Sequence, residues 1–506
     1  MEMSLAMQQI KTILLLAIIL GVVLVSFVQA NDEPTPSDSW LWLENIEGIN
    51  ALAWVNGQNL RTAAAYKSKP EFESLHRQAL EVLNSESRIP DVDQRGKWLY
   101  NYWKDDQHPR GIYRRTTIEE FRKAEPKWET VLDIDQLSRK ENQQWVFHSM
   151  DCLEPEYRHC LVSLAPGGSD AVEIREFDMD KMAFVPDGFF IAVSKSYASW
   201  LDPDTIFAGI NTGGDSATES GYPRTVKIWK RGTPVTSAQT VYEGNPASVG
   251  VQGYRIRTNA DDIDLVVENL STWNFKYFQL IDGVTHQLQL PETARIEGGF
   301  QGKLVISLKK DWQRGEKLFK QGSVIVASPS ALMGNTGDIE ILMEPTASEV
   351  IENVVSSKST IFVETLHNVR GRMYEYRAAK GKVGFNRQMI PFPDNGALKV
   401  TSVDTESGDV FVQFQSFTTP PTLYYLAANS QNPEKMKAQQ ATFDGSQFEV
   451  DQLWAASKDG TKIPYFVVMK KGTVKNGKNP THIFSYGGFE NSLTPSYSGS
   501  YEHLSG

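Results

Sequence analysis

A chain of 506 residues, 40% hydrophobic, can bury large cores and is long enough for two or three domains. Its formal charge of −11, with no stretch of clustered Lys and Arg, argues against a polyanion partner, so no nucleic acid is expected.

The first residues read as a targeting segment. Lys11 precedes an apolar run over 13–28, and Val28-Gln29-Ala30 sets a plausible cleavage site before Asn31, so residues 1–30 are expected to be an export signal. A retained anchor is the alternative, although a span normally wants ~20 apolar residues. The expected location is periplasmic or extracellular, with no stable membrane association after cleavage.

Residues 31–88 are expected to form a small helical segment. Leu52, Val55, Leu60, Phe72, Leu75, Leu80 and Val82 fall among helix formers, and Pro70 separates two helices. From 89 to 446 the pattern changes to short strands divided by Gly, Asp, Asn and Ser turns. Apolar runs open strand-turn-strand units at 98–103, 160–164, 205–210, 263–267, 304–308, 360–363 and 410–414. Most are followed by a second strand, as at 171–177, 226–229, 273–280, 324–326, 373–376 and 423–426. The starts lie roughly 40–60 residues apart, close to the ~40–50 of a four-stranded propeller blade. A seven-bladed β-propeller is the expectation. One or two β-sandwiches are the alternative, but roughly 350 residues with no helical interruption expected are long for that, and the recurring unit favours radial repetition.

Cys152 and Cys160 stand in DCLEPEYRHC, a spacing that suits no common zinc site. In an oxidising compartment a disulfide closing this loop is expected over two free thiols. No metal and no cofactor are expected.

Beyond 447 the polypeptide changes character again. The runs 448–455 and 463–469, around the Asp459-Gly460 turn, and 482–485 are expected to be three strands. The last ends at Tyr486-Gly487-Gly488-Phe489, where two glycines require a tight bend or a close backbone approach. A tight surface turn is one reading. The other is a loop presenting a donor to the oxyanion of a tetrahedral intermediate, a role a tyrosine hydroxyl can fill.

SKDGTKIP from Ser457, followed by Tyr486-Gly487-Gly488-Phe489 and SLTPSYS to Ser498, closely resembles the prolyl oligopeptidase family of serine peptidases. WLEN from Trp42, with Ala53-Trp54-Val55 and Gln58-Asn59, resembles that family's amino-terminal helical segment, and CLVSLAPGGSDAVEIREFD from Cys160 resembles its bacterial blades. The resemblance implies a mainly β chain: a seven-bladed propeller inserted in an α/β-hydrolase peptidase domain. Only the amino-terminal helical segment and, over 447–506, the first strands of that domain are expected here. It further implies that Tyr486 joins the oxyanion hole and that Phe489 lines the substrate pocket, although Ser485-Tyr486 stands where Gly-Tyr is usual.

Serine catalysis requires a nucleophile on a strained turn, a histidine base and an orienting carboxylate. No G-x-S-x-G occurs. Gly167-Gly168-Ser169-Asp170-Ala171 and Gly214-Asp215-Ser216-Ala217-Thr218 come nearest, and both are expected to be propeller turns. The eight histidines, His76, His108, His148, His159, His286, His367, His482 and His503, are scattered and expected to be structural. The expected function is a serine oligopeptidase cleaving short peptides after proline, the propeller filtering substrates by size, with this stretch of chain inactive and monomeric. The alternative is a secreted, non-catalytic propeller that binds peptides or a protein partner.

Overall fold

The computed structural model describes residues 38–83, 89–334, 337, 339–379, 381, 384–441, 443–487 and 491–498. The expected export signal, Phe489 and His503 lie outside them. The chain divides after Leu83 into two separately compact units.

In the first unit, α1 (Ile49–Lys67) and α2 (Pro70–Leu83) meet at Ser68-Lys69, with Pro70 opening α2. Proline is tolerated there because a first-turn N–H has no intrahelical acceptor. Trp40, Trp42 and Trp54 form a cluster with ring centroids 5.9–6.4 Å apart. Leu52, Leu60 and Leu75 are exposed within this unit.

The second unit is dominated by seven antiparallel meanders, blades 1 to 7, over 93–133, 145–194, 196–243, 250–287, 295–343, 349–390 and 396–438. Blade 5 carries an extra hairpin, Trp312–Arg314 with Lys317–Phe319, between its second and third strands. Blade 2 has an outer edge shared by Ala183–Phe184 and Phe190–Ser194.

Seven apolar clusters hold the ring together, each drawn from two successive blades. Between blades 3 and 4, for example, Phe207 and Val226 pack on Val251 and Val266. The seventh joins the ends: Val92, Leu99 and Phe121 of blade 1 and its flanks meet Phe411, Leu423, Tyr425 and Met436 of blade 7. Every blade is therefore covered on both faces, and each fully buried Phe or Leu contributes about 1.5–3 kcal/mol.

No strand is exchanged between blades 1 and 7 among the described residues; polar contacts supplement the apolar seam. The Gln94 N–H donates to Ser402 Oγ (2.9 Å), the Gly96 N–H to Asp404 Oδ2 (2.7 Å), and Arg122 forks onto Glu434 at 2.9 and 3.0 Å.

Two expectations need correction. Residues 89–446 are not free of helix: Ile134–Glu141 forms two turns between blades 1 and 2. The Asp133 carboxylate accepts from the Gln136 N–H at its start, and Asn142, at φ 50°, ends it in the left-handed conformation. Residues 482–485 pair with no strand among the described residues, and Ile483 and Phe484 are exposed. An apolar run becomes a strand only where a neighbouring backbone accepts its hydrogen bonds, and none among the described residues pairs with it.

Candidate active-site segment

In a four-stranded meander the first-to-second and third-to-fourth turns lie at one end of the ring. The second-to-third turns and the blade crossovers lie at the other, where the chain also enters and leaves. The residues after blade 7 dock on that second end. Tyr497 stacks on Phe443 (centroids 5.0 Å apart), and its N–H donates to Gln415 of blade 7 at 3.3 Å. Gly445 is required there, since a Cβ would stand 2.2 Å from the Thr418 carbonyl oxygen.

From this anchor rises a two-stranded ribbon, Phe448–Ala456 with Lys462–Lys470, in register from Phe448↔Lys470 to Ala456↔Lys462. Its turn closes at Gly460, whose φ of +85° suits glycine. Hydrogen bonds from Thr461 hold the Asp459 carboxyl below its ordinary value. Phe466 packs on Phe417 of blade 7 at 5.2 Å, and Gln452 donates to the Asn368 carbonyl in the second-to-third turn of blade 6. Leu453, Trp454, Ile463 and Tyr465 nevertheless remain exposed.

Tyr486 follows in an unpaired stretch. Its side chain is half exposed, and its hydroxyl makes no hydrogen bond among the described residues. An unengaged hydroxyl can donate to an incoming oxyanion without first giving up a partner. Gly487 beside it has open space where a Cβ would lie.

The serine-containing turns serve local structure. Gly167 and Gly168 take positive φ between the second and third strands of blade 2, and the Ser169 hydroxyl donates to the Ala171 carbonyl at 3.0 Å. The Ser216 hydroxyl donates to the Gly213 carbonyl at 2.8 Å. His108 Nδ1 lies 2.9 Å from Asp105, His159 Nδ1 lies 3.1 Å from Glu176, and the exposed His148 lies 3.5 Å from Ser149. No imidazole among the described residues links a serine hydroxyl to a carboxylate. At the opposite end of the ring, Cys152 and Cys160 are paired across the first two strands of blade 2, their sulfurs 2.00 Å apart.

Residues 25–439 match the family model for the prolyl oligopeptidase N-terminal β-propeller domain. The chain belongs to the prolyl oligopeptidase family. Among relatives of this family, an uncharacterised peptidase of Sinorhizobium fredii is 32% identical over 472 residues, covering 91% of this chain and 65% of the relative. The prolyl endopeptidase of Elizabethkingia miricola is 26% identical over 476 residues, covering 91% and 63%. The solved structure of a post-proline cleaving enzyme from Rickettsia typhi superposes with a TM-score of 0.80 at 26% identity, covering 91% of this chain and 69% of that one. This chain thus spans somewhat under two thirds of the length of those two sequence relatives.

Sequence reasoning did not anticipate the polar ties between blades. One is the wholly buried Glu176 carboxylate of blade 2, clamped by Arg231 of blade 3 at 2.7 and 3.0 Å. An Arg and a Glu separated by 55 residues carry no local signature. Another is the contact of Glu154 and Tyr157 with Thr405, in a loop noticed only for its cysteines.

Proposed function

We propose that this chain is the propeller-bearing portion of an exported serine oligopeptidase that cleaves short peptides after proline. The observation that carries the reading is 32% identity to a peptidase over 91% of the chain. The names of the Elizabethkingia prolyl endopeptidase and the Rickettsia post-proline cleaving enzyme support the proline preference.

In this reading the propeller sits over the active site as a size filter, admitting short peptides and excluding folded proteins. The Tyr486 hydroxyl donates to the oxyanion that forms when a serine attacks the scissile carbonyl. Such a donor acts on charge present only in the transition state, and its removal typically costs about 10²–10³ in kcat. Phe489 lines the pocket for the residue before the scissile bond. The nucleophile, base and orienting acid are assigned to no residue of this chain, which is monomeric and binds peptidyl-proline without hydrolysing it.

The test is to express the open reading frame through its own stop codon and assay both products on a blocked glycyl-prolyl p-nitroanilide. Turnover by the longer product, with binding but no turnover by residues 31–506, supports the reading. Turnover by the shorter product, unaffected by removing contaminating peptidases, would overturn the placement of the catalytic serine outside this chain. No turnover by either would overturn the peptidase reading itself.

A further inference from the structure

The loop between the first two strands of blade 2, residues 153–158, reaches a blade that is not its neighbour. The Thr405 hydroxyl of blade 7 donates to Glu154 Oε1 at 2.8 Å and accepts from the Tyr157 hydroxyl at 3.1 Å. Blade 1 lies between them, and its first-to-second turn at this end is only the short Gly96-Lys97. The loop therefore crosses over blade 1 and spans the junction where the ring closes without strand exchange.

Its base is fixed on both sides. Cys152 and Cys160 are joined, and Leu153, 6% exposed, is buried in the apolar cluster of blades 2 and 3. Within the loop the Tyr157 N–H donates to the Leu153 carbonyl at 2.8 Å. Arg95 of blade 1 lies under it, with Nη1 2.7 Å from Cys152 Sγ and Nη2 donating to the Met150 carbonyl at 3.1 Å. On the receiving side, the Lys358 N–H of blade 6 donates to the Thr405 carbonyl at 3.0 Å.

We propose that this stapled loop is a thiol-sensitive clasp, holding blade 7 against blade 1 while Cys152 and Cys160 are joined and releasing it when a dithiol reduces them. The first thiolate of the reductant attacks the more accessible Cys152 sulfur, the Cys152–Cys160 bond breaks, and Cys160 leaves as a thiolate. The second thiol of the reductant then attacks its own sulfur in the mixed disulfide. That step closes the oxidised cyclic reductant and expels Cys152 as a thiolate beside the Arg95 guanidinium. Two electrons pass to the protein, and the two thiol protons of the dithiol end on the cysteines. A nearby cation stabilises a departing thiolate. The clasp stands independently of the peptidase reading.

Amide hydrogen exchange on the 506-residue chain tests it, comparing peptides over 92–100 and 402–409 with a control over 263–269 in blade 4. Adding a dithiol, or substituting Thr405→Val, is expected to accelerate exchange at least tenfold at the first two and less than twofold at the control. In Thr405→Val the clasp is already open, so the dithiol should add less than twofold. Cys152→Ser/Cys160→Ser should match the reduced protein. Exchange at the junction unchanged by both reduction and Thr405→Val would overturn the proposal. So would equal acceleration in blade 4, or two thiols titrating in the denatured, unreduced protein.

Discussion

Arg231→Leu breaks one polar tie between blades, together with the Arg231 bonds to the Pro203 carbonyl and the exposed Asp204 carboxylate within blade 3. In the native protein two guanidinium nitrogens lie 2.7 and 3.0 Å from a Glu176 side chain that is 0% exposed, while the Arg231 side chain is 26% exposed. Truncating one partner of a buried pair strands the other charge, typically at about 3–5 kcal/mol. Here the Phe189 N–H still donates to Glu176 at 3.0 Å, and His159 remains 3.1 Å away. The expected loss therefore lies at the lower end, about 3 kcal/mol at pH 7.

The same contacts set the pH dependence. Burial alone would raise the Glu176 carboxyl, but hydrogen bonds from Arg231 and Phe189, with the charge of Arg231, hold it below the ordinary carboxylate value. A carboxyl depressed on folding stabilises above its unfolded pKa, about 4.3 for Glu, and that contribution is lost as pH falls through the folded value. In Arg231→Leu burial acts with less opposition, the carboxyl rises, and the variant is relieved by protonation. Urea unfolding followed by tryptophan fluorescence should show the deficit narrowing between pH 7 and pH ~4.5. Adding Glu176→Gln should recover about 1 kcal/mol or more at pH 7. A deficit below about 1 kcal/mol, the range of exposed pairs, or one equal at both pH values would refute the reasoning.

Three further outcomes are expected. On the proposed reading, Tyr486→Phe in the full-length peptidase should lower kcat by about 10²–10³ with KM little changed; kcat retained within about twofold while chemistry is rate-limiting would make Tyr486 a packing residue. Gly253→Ala places a Cβ 2.7 Å from the Phe207 ring and 2.8 Å from Val226, forcing blades 3 and 4 apart. Overpacking of this kind costs about 1–3 kcal/mol in unfolding free energy, and an unchanged midpoint would show that the ring simply rotates away. Because Trp454, Ile463, Ile483 and Phe484 are exposed on an uncovered ribbon and its trailing segment, limited proteolysis of the 506-residue chain should trim residues beyond about 447 and leave the propeller resistant. Survival of the carboxyl-terminal segment in a monomer would count against this.

The seven apolar starts read from the sequence are the second strands of the seven blades, and the runs paired with them are the third strands. These middle strands are covered by both neighbouring blades, so many read as continuous apolar stretches, as at Val324–Ala327, where four consecutive apolar residues are buried. The first and fourth strands were not legible. Innermost strands carry bulges at Phe147/Ser149, Ile296/Gly298, Ile351/Asn353 and Val400/Ser402, which break the two-residue alternation a strand is recognised by. Outermost strands such as Gln239–Glu243 are largely exposed and carry polar sequence. Tyr486 could be singled out because paired glycines are visible locally. The contacts of Thr405 with Glu154 and Tyr157, about 250 residues away, have no such trace.

Because no strand is shared between blades 1 and 7 among the described residues, the order of synthesis matters. Blades 2 to 6 can each pack on the blade made just before, so their apolar faces are covered nearly as fast as they emerge. Blade 1 is different: Leu99 and Phe121 find Phe411, Leu423 and Met436 only after roughly 300 more residues have been made. At 5–20 residues per second that face stays wet for on the order of 15–60 s. The ring thus has one open flank throughout its translation, and the nascent chain is most exposed to unwanted association at the blade that was finished first.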